Sequence, residues 1–341
     1  GNKRTILVQG DMGTGKSSIL NVLAKELPTH TACYFDCTTK DLGDIMIPKM
    51  ADVDGKNYVT YATNEELGVH LNKPIILMID EFGKANPAVK NALLRVIQER
   101  MIGSYTLHPD SIVFATTNKG SEGVGDLLQS HARNRVAVVQ TRKPSQEEWI
   151  DWGINNKVDA TILGWAKDNP QLFHSFEDVK NPDDNPYIFH PNQQRTAFVT
   201  PRSLESASDW VKLRDTMDDT TLTGLLMGTI GERGAMDLMA FVKLADQMPK
   251  RDDIINDPKN AKIPTSASAV VMVVFRSLAS MSKDYINPFM EYLVRLDQEA
   301  QGMFANGVRN PKYHAQQLVM TNGKFTEWAM KNNYMFSADK K

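Results

Sequence analysis

Residues 10–17 form a glycine-rich octapeptide, Gly-Asp-Met-Gly-Thr-Gly-Lys-Ser, between an apolar run and a helix-forming segment. The run at residues 5–9 is short, apolar and rich in β-branched side chains, which is typical of a buried strand. Residues 18–27 carry apolar side chains at helical spacing, and Pro28 ends that pattern. Because a strand, a glycine loop and a helix follow in this order, the G-x-x-x-x-G-K-[ST] pattern indicates a phosphate-binding loop rather than a chance glycine turn.

The sequence of this loop predicts how a nucleoside triphosphate would be bound. Glycines let backbone N–H groups approach phosphates, and the N-terminus of the following helix adds positive potential. Lys16 is expected to reach the β- and γ-phosphates, and the hydroxyl of Ser17 is expected to bind Mg²⁺. The residues predicted to contact the nucleotide are Gly10, Asp11, Met12, Gly13, Thr14, Gly15, Lys16, Ser17 and Ser18.

A second motif follows the apolar run at residues 75–79, which reads as a strand buried on both faces. The run ends in Asp80 and Glu81. In an open parallel sheet, ligands bind beyond the carboxyl ends of the strands, where these two acids are expected. We therefore predict that Asp80 holds the Mg²⁺ shell, directly or through water, and that Glu81 polarises the attacking water.

A further strand is predicted at residues 112–116, and Asn118 follows it. A polar side chain at that strand end is suited to hydrogen-bond the attacking water or the γ-phosphate. Asn118 and Lys119 also begin like the guanine-reading N-K-x-D motif, but its fourth position is Ser121. Since the carboxylate that would grip guanine is missing, the sequence favours ATP over GTP.

Three arginines are candidates for phosphate contacts. Arg133 and Arg135 alternate just before a predicted strand at residues 136–139, and solvated surface charges are the other interpretation of this pair. Arg202 follows Thr200 and Pro201, which are typical of an N-cap and a first helical position. A helix prefers an acidic residue in its first turn, so an arginine there favours a role with another group, such as a phosphate.

Taken together, these motifs resemble those of the AAA+ ATPase family and, within it, the MoxR-like branch. Residues 79–100 are similar to the family's D-E-hydrophobic-x-x-A-x-P run with its later Leu-Leu and Glu-Arg pairs. Residues 41–48 resemble the start of the insert near the family's second helix, and residues 101–107 resemble its pre-sensor-1 hairpin. The resemblance makes Asn118 the sensor-1 residue and Arg202 the sensor-2 residue. Met12 departs from the family's usual proline, and Ser17 from its usual threonine, but either hydroxyl can bind Mg²⁺.

The resemblance also implies an assembly and a partner. Members of this family form rings, usually hexamers, in which a neighbour's arginine completes each ATP site. Arg135 aligns better with that arginine finger, and Arg133 is an alternative or auxiliary finger. In MoxR-like systems the ATPase remodels a protein partner, often a von Willebrand factor A-type protein. A Mg²⁺-dependent ATPase of this chaperone type is the leading functional expectation.

The expected fold class is α/β. A P-loop αβα sandwich with a parallel sheet is predicted for residues 1–141, followed by a helical lid carrying Arg202 at 142–248. A further all-helical C-terminal region is predicted for residues 249–341, after an exposed linker near 249–264. The length of 341 residues suggests about two domains.

Composition limits the other functional classes. The net charge of −2 and the dispersed basic residues give no reason to expect strong nonspecific nucleic-acid binding. The longest apolar run, at residues 269–275, is far too short to span a bilayer. Cys33 and Cys37 read as buried free thiols of a reducing, cytoplasmic compartment. No signal peptide is expected, although the chain begins at Gly1 rather than at a methionine, which leaves an upstream segment open.

Two other functions remain open on the sequence. A nucleic-acid motor or loader on the same core is disfavoured by the charge balance, and an ATP-gated scaffold with little turnover is disfavoured by the complete acids Asp80 and Glu81. Tyr58, Tyr61 and Tyr105 lie in the two insert segments. They are suited either to gripping a partner or to packing locally, and the sequence favours neither.

Overall fold

The computed structural model describes residues 4–119 and 136–337 of the chain. These residues belong to two compact units, Gly1–Lys143 and Pro144–Lys341. In the described residues no helix is long and apolar enough to cross a membrane.

The first unit is built on a parallel sheet. The described strands of the chain, in order, are β1 (Thr5–Gly10), β2 (Thr31–Asp36), β3 (Met46–Val53), β4 (Lys56–Thr63), β5 (Ile75–Asp80), β6 (Met101–Ile102), β7 (Tyr105–Thr106), β8 (Ile112–Asn118) and β9 (Val136–Gln140). Five of the described strands form the sheet in the order β2-β5-β8-β1-β9, and each pairs in parallel with its neighbours. Since β1 lies between β8 and β9, the first strand of the chain is near the middle of the sheet.

Helices cover this sheet on two sides. Helix α1 (Ser18–Glu26) packs Leu20 with Val8, Met78 and Phe114 in one apolar cluster. Helix α2 (Pro87–Glu99) contributes its buried stripe to a second, larger cluster with alternate residues of the same strands. Because successive side chains of a strand point to opposite faces, the two clusters mark the two faces of one sheet. The predicted α/β class, a P-loop αβα sandwich with a parallel sheet, is confirmed.

Two hairpins extend from this unit. Strands β3 and β4 pair in antiparallel fashion along their full length, and β6 and β7 form the short hairpin expected at residues 101–107. Gly103 turns the short hairpin with φ of +58°, and a Cβ built on it would lie 3.4 Å from the Cβ of Tyr61. Tyr61 therefore contacts the turn of the second hairpin. Tyr58 and Tyr105 are exposed, and local packing and partner contact both remain open for them.

The second unit is helical. Its described helices are α3 (Gln146–Asn155), α4 (Ala160–Asp168), α5 (Pro201–Lys212), α6 (Asp219–Ala245), α7 (Arg251–Asn256), α8 (Ala267–Ala279), α9 (Ile286–Leu293), α10 (Gln298–Arg309), α11 (Gln316–Met320), α12 (Gly323–Lys331) and α13 (Tyr334–Ser337). Ser145 and Glu148 form a capping box at the start of α3. The all-helical character predicted after the sheet is confirmed.

One core joins the helices on both sides of residue 248. Leu238 from α6 and Phe275 from α8 belong to the same cluster of buried side chains. The stretch expected to be an exposed linker instead contains α7, and its Ile254 is fully buried in that cluster. Ala261 belongs to the same cluster, and Ile255 and Ile263 pack against it, although polar turn residues surround them in the sequence. The functional division into a lid at 142–248 and an extension at 249–341 stays a prediction.

Helix α6 is interrupted at Gly231, where φ is +83° and ψ is 162°. A Cβ built on Gly231 would lie 2.6 Å from the carbonyl oxygen of Ala197. The break divides α6 into two helical segments, one on each side of Gly231. Both the positive φ and the close backbone require glycine here.

Candidate nucleotide-binding site

Lys16 lies across the glycine loop and is 9% exposed. Its Nζ donates to the carbonyl oxygens of Gly10 at 2.9 Å and Asp11 at 2.7 Å, and to Oδ1 of Asn118 at 2.8 Å. These acceptors hold the ammonium group at the carboxyl ends of β1 and β8. A phosphate that binds Lys16 must replace at least part of this hydrogen bonding.

The loop depends on glycine at several positions. Gly13 and Gly15 have φ of 68° and 86°, a region that side chains with a Cβ rarely adopt. Gly10 is required for a different reason, since a Cβ built there would lie 2.1 Å from Oγ1 of Thr141. The loop then leads directly into α1, whose N-terminus points its free N–H groups and its positive dipole end toward the loop.

Asp80 ends β5 and is 7% exposed. Its Oδ2 accepts hydrogen bonds from Oγ of Ser17 at 3.2 Å and from the hydroxyl of Tyr34 at 3.0 Å. Its Oδ1 accepts from the backbone N–H of Glu81 at 3.0 Å and from the hydroxyl of Thr116. The structure thus brings together Ser17 and Asp80, the two residues predicted to bind Mg²⁺.

Glu81 follows Asp80 with φ of +51°, a left-handed conformation unusual for a residue other than glycine. Such a conformation costs about 1–3 kcal/mol and is concentrated at functional sites. Oε1 of Glu81 accepts from Nδ2 of Asn118 at 3.2 Å, and Oε2 pairs with Nζ of Lys84 at 3.1 Å. The carboxylate is therefore held at the same strand edge as the glycine loop.

Asn118 is the last residue of β8 and is 4% exposed. It lies opposite Gly10 in the register of β1 and β8, because the sheet order places these strands side by side. Its amide consequently reaches Lys16 with the oxygen and Glu81 with the nitrogen. The sequence placed Asn118 in a loop beyond the strand, whereas the structure makes it part of the strand and buries it.

One other contact lies beside the site, and the environment of Tyr34 keeps its hydroxyl protonated. Nζ of Lys119 pairs with Oδ1 of the buried Asp11 at 3.1 Å, which ties the end of β8 to the glycine loop. Burial, and next the hydrogen bond to Asp80, raise the pKa of Tyr34 above its ordinary value. The hydroxyl of Tyr34 is therefore protonated at neutral pH and acts as a donor.

The residues present fit a magnesium–nucleotide complex. Mg²⁺ prefers oxygen ligands and is commonly held by one or two protein groups together with substrate phosphates. Ser17 and Asp80 offer a hydroxyl and a carboxylate in hydrogen-bond contact. In the part of the chain that the structure describes, no group of three or more His, Cys, Asp or Glu side chains is arranged to hold a metal ion.

Some predicted site residues are not part of this cluster. Arg133 and Arg135 lie outside the described residues. Arg202 is exposed in the first turn of α5, whose N-cap Thr200 and adjacent Pro201 are placed as predicted. Arg202 belongs to the second unit, and its contact with a nucleotide stays a prediction.

Sequence reasoning missed three residues that contact the acids. Tyr34 and Thr116 contact Asp80, and Lys84 contacts Glu81. Thr116 carried a signal, since it begins the polar end of β8, directly before Thr117 and Asn118. Tyr34 carried none, because tyrosine is ordinary in a strand. Cys33 and Cys37 are buried free thiols, as expected.

Residues 5–135 match the family described as AAA domain (dynein-related subfamily). The first unit contains an AAA domain. The matched segment begins with β1 and includes the glycine loop, Asp80, Glu81 and Asn118. The clustered site residues therefore lie within the AAA domain. The assignment to the MoxR-like branch remains a proposal.

Curated relatives of the AAA domain are similar over a limited stretch. A Nif-specific regulatory protein of Klebsiella pneumoniae is 29% identical over 123 residues, which are 35% of this chain and 24% of the relative. An ATP-dependent protease ATP-binding subunit-like protein of Rhodococcus erythropolis is 26% identical over 181 residues, which are 46% of this chain and 51% of the relative. The chain therefore spans about a quarter to a half of the length of these two relatives.

The matches among solved structures include two with low sequence identity to this chain. The RuvB Holliday junction branch migration motor of Thermotoga maritima is 17% identical with a TM-score of 0.34, over 75% of this chain and 68% of that chain. A closed-state Hsp104 with ATPγS and FITC casein is 17% identical with a TM-score of 0.37, over 70% of this chain and 42% of that chain. The assignment of the AAA domain depends on the family match and on the geometry of the site.

Proposed function

We propose that this protein is a Mg²⁺-dependent ATPase whose turnover remodels a protein partner, in the manner of MoxR-like ATPases. The observation that carries the proposal is the meeting of Lys16, Ser17, Asp80, Glu81 and Asn118 at one edge of the sheet. These residues come from the glycine loop and from the ends of two strands, β5 and β8. Together they supply the cation, the metal ligands and the base that phosphoryl transfer requires.

Each residue has a distinct role in this proposal. Lys16 and the loop N–H groups bind the phosphates, while Ser17 and Asp80 hold Mg²⁺, which neutralises charge on the phosphates when it is bound. Glu81 accepts the proton of the attacking water, and Asn118 orients that water or the γ-phosphate. Arg202 contacts the nucleotide from the helical unit, so that loss of the γ-phosphate moves that unit.

The proposed active site is completed by a second copy of the chain. In a ring, most simply a hexamer, Arg135 of one subunit serves as the finger for its neighbour's ATP, with Arg133 as the alternative. An arginine finger contributes about a thousandfold or more to turnover. An isolated subunit should therefore bind ATP and hydrolyse it poorly.

The proposed partner is a protein, with a von Willebrand factor A-type protein as the first candidate. The support is the resemblance to MoxR-like ATPases and the net charge of −2, which disfavours a nucleic-acid motor. Stimulation of ATPase activity by such a protein, compared with stimulation by DNA and by RNA, distinguishes the two classes. Stimulation by nucleic acid alone would overturn the protein partner but leave the ATPase in place.

The test of the ATPase is the variant Glu81→Gln. It should bind ATP with unchanged affinity and lower kcat by about a hundredfold or more, because general-base catalysis contributes about that much. The measurements are phosphate release and ATP binding at saturating Mg²⁺. A matched control is Glu99→Gln, whose carboxylate forms an exposed ion pair with Arg95. Turnover by Glu81→Gln at the wild-type rate would remove Glu81 from the role of base.

A further inference from the structure

Tyr34 is a neighbour of the acidic pair that the nucleotide-binding motifs do not include. It lies on β2, opposite Met78 of β5 in the parallel register. Side chains two residues apart on a strand share a face, so Tyr34 and Asp80 lie diagonally on the same face of the sheet. The hydroxyl of Tyr34 donates to Oδ2 of Asp80 at 3.0 Å.

We propose that Tyr34 is a positioning residue for magnesium, because its hydroxyl fixes the carboxylate of Asp80 in the orientation that faces Ser17. The proposal rests on the proposed role of Asp80 and Ser17 as the magnesium ligands. It adds a residue that acts through Asp80 and touches neither nucleotide nor metal.

The two oxygens of Asp80 are held in different ways. Oδ1 accepts from the backbone N–H of Glu81, which directly follows β5, and from the fully buried Thr116 on β8, so neither of its donors belongs to the glycine loop. Oδ2 accepts from Tyr34 and from Ser17. Ser17 belongs to the glycine loop, and its oxygen is needed for the metal. Tyr34 is therefore the donor to Oδ2 that comes from the sheet and remains independent of the loop.

Rotation about the Cβ–Cγ bond moves both carboxylate oxygens, so a donor to either oxygen opposes it and donors to both oxygens oppose it more strongly. The second anchor from Tyr34 restricts that rotation, so less orientational freedom is lost when the metal binds. Partners of metal ligands commonly change metal affinity or activity by about 10- to 100-fold when they are mutated. Removal of a single, partly exposed donor should give the lower end of that range.

The hydroxyl, rather than the ring, carries this role. Tyr34 is 45% exposed and is not a member of the hydrophobic clusters found in the described residues. A tyrosine kept for packing alone would be expected to bury its ring. The contact that this side chain makes toward the sheet edge is with Asp80.

The test is the Mg²⁺ dependence of ADP binding, followed with a fluorescent ADP, in Tyr34→Phe and Tyr34→Leu. Both variants should raise the Mg²⁺ concentration for half-maximal binding about tenfold. Binding in EDTA should stay within about twofold of the wild type, because Tyr34 does not contact the nucleotide. A ring that merely packs would instead leave Tyr34→Phe unchanged and affect only Tyr34→Leu, and this result would overturn the proposal.

Controls separate this inference from the proposed function. Tyr58→Phe removes a hydroxyl from an exposed tyrosine on β4 and should leave the Mg²⁺ dependence unchanged. Wild-type protein that binds no ADP with or without Mg²⁺ would overturn the nucleotide site itself. Wild-type protein that binds ADP with a Mg²⁺ dependence equal to that of Tyr34→Phe would overturn the role of Tyr34 alone.

Discussion

Asn118 donates its amide N–H to Oε1 of Glu81 at 3.2 Å, across a sequence separation of 37 residues. The same amide accepts from Lys16 through its oxygen. The side chain of Asn118 therefore bridges Glu81, the proposed base, and the ammonium group of Lys16 in the glycine loop. Asn118 is the buried last residue of β8, so the sheet places its amide between these two groups.

Asn118→Ala should lower kcat about a hundredfold, which is the usual effect of removing one preorganised donor. The ATP dissociation constant should change by only about threefold, since Lys16 keeps its two carbonyl acceptors and its phosphate partners. Phosphate release and equilibrium ATP binding measure the two quantities. Loss of affinity with unchanged kcat would place Asn118 in ground-state binding instead.

Lys16→Ala should weaken ATP binding by about a hundredfold or more. Hydrogen bonds to charged groups contribute about 1.5–3 kcal/mol each, and about 1.4 kcal/mol is a tenfold change in affinity. Isothermal titration with ATP and Mg²⁺ measures the effect. Lys25→Ala in α1, the helix that follows the loop, serves as the control for loss of one positive charge. Micromolar affinity retained by Lys16→Ala would refute the phosphate-binding loop.

Arg135→Ala should leave ATP binding intact and lower turnover about a thousandfold, because a finger acts on the transition state in a neighbouring subunit. Mixing Arg135→Ala with an excess of Glu81→Gln should restore turnover. In such mixed rings an intact active site can meet an intact finger. If Arg133→Ala alone behaves in this way, Arg133 is the finger and Arg135 is auxiliary.

Gly231→Ala should lower the free energy of unfolding by about 1–3 kcal/mol. The backbone at Gly231 has a conformation that is essentially restricted to glycine, and its new Cβ would meet the carbonyl of Ala197. Gly228→Ala is a matched control in the same helix, where a Cβ meets no atom within 4 Å. This control should stabilise the protein by about 0.5–1 kcal/mol, and urea unfolding measures both variants. Equal effects of the two substitutions would contradict a special role for Gly231.

Local patterns predicted much of the first unit. The glycine loop, the buried strand before Asp80 and the stripe of α2 each depend on residues close in sequence, so their spacing alone indicates the element. Packing at longer range was less predictable. The helix Arg251–Asn256 lies in a segment rich in turn residues, and the burial of Ile254 depends on side chains far along the chain.

The order of the strands in the sheet determines which side chains of the site meet, and the motifs alone do not show this. Spacing and residue type are enough to predict a phosphate-binding loop, two acids after a strand and a polar residue after another, because each motif is local. That Asn118 joins Lys16 to Glu81, and that Tyr34 and Thr116 hold Asp80, depends on β8 lying between β5 and β1 and on β2 lying beside β5. Parallel strands of similar apolar composition can pair in several orders, and packing of the whole unit selects among them. Short motifs therefore determine which chemical groups the site contains. The distances between those groups are set only by the assembled sheet.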